Sequence, residues 1–176
     1  MSTAVRPGRL SGRNALITGA SRGIGRAIAL RYAEEGADLF LTASGSAALD
    51  ETRALAEALG AQVHTHTADV SDRAAVQVMV DAALSAFGGI DVLVNNAGIS
   101  HRSPFAATET AVLRRVVEVN LFGAINLTRP ALPALQQSRG LIVAVSSIAG
   151  FTPLIARTGY SASKHALHGF FESLRT

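Results

Sequence analysis

Three glycines, Gly19, Gly23 and Gly25, punctuate the segment Thr18-Gly-Ala-Ser-Arg-Gly-Ile-Gly25. The segment joins a short apolar run, Asn14–Thr18, to a stretch of helical period that opens Arg26-Ala27-Ile28. A strand turning this sharply into a helix needs glycine where a side chain would collide or where φ is positive. Gly19 permits the tight turn, Gly23 lets backbone come close to a bound anion, and Gly25 lets helix and strand pack closely. The unpaired N–H groups and positive dipole of the helix start favour a phosphate there. No Gly-Lys-Ser/Thr follows, so the turn is not a Walker loop.

The rest of the chain repeats the same alternation. Strands are expected at Asn14–Thr18, Asp38–Thr42, Gln62–Thr67, Asp91–Val94 and Leu141–Val145. Helices are expected at Gly23–Glu35, Ala47–Leu59, Asp72–Phe87 and Thr110–Leu127, with a last one running from Thr158 to the end. Strand runs such as Leu-Ile-Val-Ala-Val are apolar throughout, as in parallel strands covered on both faces. Right-handed crossovers then give an α/β, Rossmann-type doubly wound parallel sheet in the order 3-2-1-4-5. Residues 1–12 read as a flexible N-terminal tail, and 13–176 as one dinucleotide-binding and catalytic domain. No Gly cap or Pro follows the last helix, and Leu141–Val145 would be an open apolar edge. The chain is therefore expected to be incomplete at its C-terminus, with the last strands missing.

Composition excludes several classes. With no Cys there is no disulfide, thiolate metal site or thiol catalysis. The net charge of +3 comes from scattered Arg residues, without the one-sided cluster of a nucleic-acid binder. No apolar run approaches the roughly 20 residues that span a bilayer, so no membrane partner is expected and a cytoplasmic location is the default. His64 and His66 share one face of a strand but lack an obvious third ligand, so no metal site is expected. Of the 16 basic residues, only Lys164 is Lys. A compact, tunable charge kept at one place in an Arg-rich chain marks that place for chemistry.

Lys164 stands four residues after Tyr160, hence on the same helix face. Ser147 lies thirteen residues before Tyr160, at the carboxyl end of the fifth strand, where doubly wound sheets bind ligands. Asn120 sits within the preceding helix. Together with the Thr-Gly-x-x-x-Gly-x-Gly spacing, this set resembles the short-chain dehydrogenases/reductases over nearly the whole chain. The resemblance implies a catalytic tetrad of Asn120, Ser147, Tyr160 and Lys164. It implies Tyr160 as general acid/base, Ser147 as the group that polarises the substrate oxygen, and Lys164 holding the nicotinamide ribose. It also implies that Asn120 distorts its helix to hold a water in a proton relay. The chemistry is consistent on its own terms. A free phenol titrates near pH 10, about three units too high for a donor at neutral pH. One ammonium about 4 Å away, at an effective dielectric near 20, supplies about 4 kcal/mol towards closing that gap.

The expected cofactor contacts are Gly19, Ser21, Arg22, Gly23, Ile24 and Gly25 in the first turn, with Tyr160 and Lys164 opposite. The resemblance adds Asp69 and Val70 beside the adenine, and Asn96, Ala97 and Gly98 beside the fourth strand. Thr42-Ala43-Ser44, which puts Ser44 near the ribose, carries no carboxylate for a 2′-hydroxyl. Arg22 is placed to face a 2′-phosphate. NADP(H) is thus expected over NAD(H). The implied activity is hydride transfer between NADP(H) and a small carbonyl compound or secondary alcohol, in a parent protein expected to be a homo-oligomer. An epimerase or dehydratase on the same scaffold, and a non-catalytic dinucleotide-binding protein, are the alternatives.

Overall fold

In a computed structural model of the chain, residues 8–175 are described. The expected tail falls for its first seven residues outside the described ones; residues 8–12 turn against the end of the first helix, where Leu10 N donates to Glu35 O. Five parallel strands form one sheet in the order β3-β2-β1-β4-β5. They are β1 (Asn14–Thr18), β2 (Asp38–Ala43), β3 (Val63–Thr67), β4 (Val92–Asn95) and β5 (Leu141–Ala144). The helices are α1 (Gly23–Glu34), α2 (Ala47–Glu57), α3 (Arg73–Phe87), α4 (Thr110–Val117), α5 (Gly123–Ser138) and α6 (Thr158–Leu174). The doubly wound order read from the sequence is the order found.

Strand side chains alternate between two cores, which explains why the runs are apolar throughout. Ala15, Ile17, Leu39, Leu41, Val92 and Val94 pack on one face with Ala29 and Ala33 of α1 and Leu49 of α2. Leu16, Phe40 and Leu93 point the other way, against Val76, Met79 and Val80 of α3 and Leu127 of α5. Both edge strands are less covered, and Leu141 at the start of β5 is 57% exposed.

The helix expected over Thr110–Leu127 differs from the one observed. It is interrupted at Glu118–Phe122 by a π-helical turn and then continues to Ser138, through Pro130 and Pro133. Each proline removes an N–H donor and ordinarily breaks a helix. Here Leu127, Ala131 and Leu135, spaced four apart, bury one stripe against the α3 side of the sheet. That burial offsets the two missing bonds, so tertiary packing wins over local propensity.

Candidate active site

The first crossover turn has the geometry its glycines foretell. Gly19 and Gly23 have φ of +64° and +56°. A Cβ on Gly25 would lie 2.2 Å from the Gly19 carbonyl oxygen, so helix and turn touch with no room for a methyl. A Cβ on Gly23 would meet nothing within 4 Å, because that side of the turn opens into the cleft. Arg22 precedes α1 in extended conformation, and Arg26 reaches back to hold the turn, its Nη2 donating to Ser21 O at 2.7 Å.

The far wall is fastened to the same turn. Asn96 Nδ2 donates to Thr18 O at 2.8 Å and Gly19 O at 3.2 Å, while Ala97 N donates to the Thr18 hydroxyl at 3.0 Å. Between the walls lies an open cleft of about 460 Å³ over the carboxyl ends of the strands. Every residue expected to contact the cofactor lines it, from Gly19 to Gly25, through Ser44, Asp69, Val70 and Asn96–Gly98, to Tyr160 and Lys164. An open groove whose floor is a helix start, with glycine where backbone must be approached, fits a dinucleotide.

Lys164 is 5% exposed. Its Nζ donates to Val145 O at 2.8 Å and stands 5.9 Å from the centre of the Tyr160 ring. Burial pulls its pKa below the ordinary lysine value. The Arg157 guanidinium also stands 5.9 Å from that ring centre, so two cations flank Tyr160.

Asn120 and Ser147 sit differently. Asn120 lies in the π-turn, 2% exposed, behind the cleft wall. Its Oδ1 accepts from Ile99 N at 2.8 Å, and its Nδ2 donates to Ile99 O and to the Ser163 hydroxyl, both at 2.9 Å. With Lys164 and Asn95 it borders a void of about 10 Å³, near the size of one water. Asn95 Oδ1, buried, has no protein partner there. Ser147 does not border the cleft; its Oγ accepts from Ala149 N at 3.1 Å, and its neighbour Ser146 is the one that reaches the cleft wall.

Three participants were not foreseen. Arg115 of α4 enters the cleft and clamps Asp69, Nη2 to Oδ2 at 2.7 Å, with Nη1 on the Ser71 hydroxyl at 2.6 Å. Partial burial raises the Asp69 pKa, but the bonds from Arg115 and from the Ser71 hydroxyl and amide outweigh it and bring it to about 2. Ser163 anchors Asn120, and His168 is hydrogen-bonded to Ser146. No local pattern signals these contacts, since the partners are 22 to 46 residues apart. His64 packs on Phe87 and His66 on Phe40, and among the described residues no group of three or more His, Asp or Glu could hold a metal.

Residues 13–176 match the short chain dehydrogenase family. The chain is 43% identical over 172 residues to Dehydrogenase/reductase SDR family member 7B of Bos taurus, covering 93% of this chain and 53% of that protein. It is 44% identical over 168 residues to 11-beta-hydroxysteroid dehydrogenase 1A of Arabidopsis thaliana, covering 94% and 48%. Among solved structures, levodione reductase superposes with a TM-score of 0.91 at 35% identity, covering 94% of this chain and 66% of that one. Carveol dehydrogenase from Mycobacterium avium in complex with NAD gives 0.90 at 30% identity, covering 95% and 66%. The chain belongs to the short-chain dehydrogenase/reductase family of nicotinamide-dependent oxidoreductases. It spans about half the length of these two relatives and about two thirds of the two structures.

Proposed function

We propose that the protein is an NADP(H)-preferring reductase of carbonyl compounds, or the corresponding dehydrogenase of secondary alcohols. The observation that carries this reading is the buried Lys164 ammonium beside the Tyr160 ring, on the cleft that the glycine turn floors. The bound nicotinamide would supply or accept the hydride. Tyr160 gives a proton to the carbonyl oxygen or takes one from the alcohol. A cation held nearby in a low-dielectric wall favours the phenolate and so eases that transfer. By the family resemblance Ser147, one residue past the cleft-lining Ser146, orients the substrate oxygen. Asn120 and its void carry the proton between Lys164 and water. Arg22 pairs with the 2′-phosphate, and Ser44 lies where a carboxylate would otherwise take the ribose hydroxyl.

Ile99 on the cleft, and Phe105, Phe151, Leu154 and Ile155 in the segments that follow β4 and β5, are exposed, which favours a moderately apolar substrate. No described helix is long and apolar enough to cross a membrane. A cytoplasmic, homo-oligomeric enzyme completes the proposal. The test is to follow NADPH absorbance with a panel of carbonyl compounds, for the wild type and for Tyr160→Phe. Consumption is expected in the first and none in the second, with cofactor affinity retained. An active Tyr160→Phe variant, or a wild type that consumes neither NADPH nor NADH, would defeat the reading.

A further inference from the structure

Ser147 sits just past the end of the sheet. The last ladder bond of the sheet beside it is Val145 N to Asn95 O, at 2.9 Å. Beyond it a single 3₁₀ turn, Ile148–Gly150, buries Ala149 completely but leaves Ile148 70% exposed, and Phe151 just after it is 72% exposed. One small buried side chain seats the turn, and its larger neighbours leave polar contacts to fix it further.

A further hold comes from a histidine two turns along the helix that bears Tyr160. His168 Nε2 and Ser146 Oγ are hydrogen-bonded at 2.7 Å. The same ring meets Phe151 edge-on, with centroids 4.3 Å apart, so His168 grips the segment on both sides of Ser147. Gly150 closes the packing, since a Cβ there would lie 2.7 Å from Ser146 Oγ and 2.8 Å from His168 Nε2. His168 follows Lys164 by four residues and Tyr160 by eight, on one face of α6. We propose that His168 is a positioning residue that, through Ser146 and Phe151, fastens the Ser147 turn to the helix carrying Tyr160 and Lys164. The inference rests on the reductase reading of Ser147. Relative placement of a polarising hydroxyl and a proton donor within about an ångström matters to rate.

The test uses His168→Leu, which removes the bond, His168→Gln, which returns a polar atom near the Nε2 position, and Ser146→Ala. Hydrogen exchange is read at the Ala149 and Gly150 amides, which bond to Ser147 Oγ and Ser147 O. In His168→Leu these amides should exchange about fivefold faster or more, the loss of one hydrogen bond. His168→Gln should restore them, and Ser146→Ala combined with His168→Leu should be no worse than the more severe single change. In turnover, His168→Leu should lower kcat by about tenfold or less while the cofactor Kd stays unchanged. Unchanged exchange in His168→Leu, failure of Gln to restore it, or unchanged kcat despite faster exchange would each overturn the proposal. Failure of the reductase reading would show instead as no turnover in the wild type, with the exchange comparison still deciding the clamp.

Discussion

Asn120 and Ile99 bind each other through both ends of one amide, Oδ1 to N at 2.8 Å and Nδ2 to O at 2.9 Å. The side chain thereby acts as a strand partner for the backbone at Ile99, just past β4. It can do so because the π-turn at Glu118–Phe122 pushes one residue out of helical register. The same turn holds Gly123 against Val70, where a Cβ would lie 2.6 Å from Cγ2.

Asn120→Leu would leave the Ile99 N–H and C=O without their side-chain partner, while the Ser163 hydroxyl keeps its bond to Tyr160 O. Leaving such groups unpaired costs about 1–3 kcal/mol each at most, and partial relaxation should bring the total to about 2–4 kcal/mol. Urea denaturation followed by circular dichroism reads it directly; a loss below about 1 kcal/mol would contradict the bridging role.

The glycines of the first turn should not be equivalent. Gly25→Ala puts a methyl 2.2 Å from a carbonyl oxygen and should cost more than 2 kcal/mol as well as weaken cofactor binding. Gly23→Ala meets open space, and its only penalty is positive φ, about 1 kcal/mol. Equal melting temperatures for the two variants would show that the crowding at Gly25 relaxes.

Asp69 titrates at about 2 in the fold. Its folded pKa lies below the unfolded value, so the stability it contributes is present above about pH 4 and is lost as pH falls to about 2. With the pair half-exposed to solvent, that contribution is small. Arg115→Gln should move the Asp69 carboxyl titration, followed by NMR, back towards 3.8 and weaken binding of the adenine end of the cofactor. A midpoint that stays at about 2 would assign the shift to Ser71 alone.

Lys164 is destabilising for the fold while it is charged, because burial depresses its pKa. Below the unfolded value the folded chain binds fewer protons or holds the charge at a penalty, so stability should rise with pH as the folded lysine deprotonates. Lys164→Met should raise stability by about 1 kcal/mol at pH 7, with the gain shrinking as pH climbs towards 10, and should lose turnover. A thermal-shift series across pH measures both signs.

Arg22→Gln should lower NADPH affinity about tenfold or more and leave NADH affinity nearly unchanged, as expected for loss of a charge-assisted phosphate contact. Fluorescence titration with each cofactor separates the two; equal losses would point to a damaged turn instead of a lost phosphate contact.

The sequence by itself determined what rests on local rules. Glycine spacing set the turn, apolar runs between helical periods set the strand order, and Tyr160 and Lys164 were forced onto one helix face by a spacing of four. Element ends moved by a residue or two, because hydrogen bonding at termini depends on neighbours. Tertiary structure decided what depends on groups far apart in the chain. The helix expected to end at Leu127 runs on through Pro130 and Pro133, because the stripe of Leu127, Ala131 and Leu135 is buried. Nothing local tells that Asn120 would face Ile99 and Ser163, that Arg115 would seize Asp69, or that His168 would reach Ser146. Each such contact exists only after the sheet has brought its crossovers together, and a one-dimensional pattern carries no distance between residues that only folding makes neighbours.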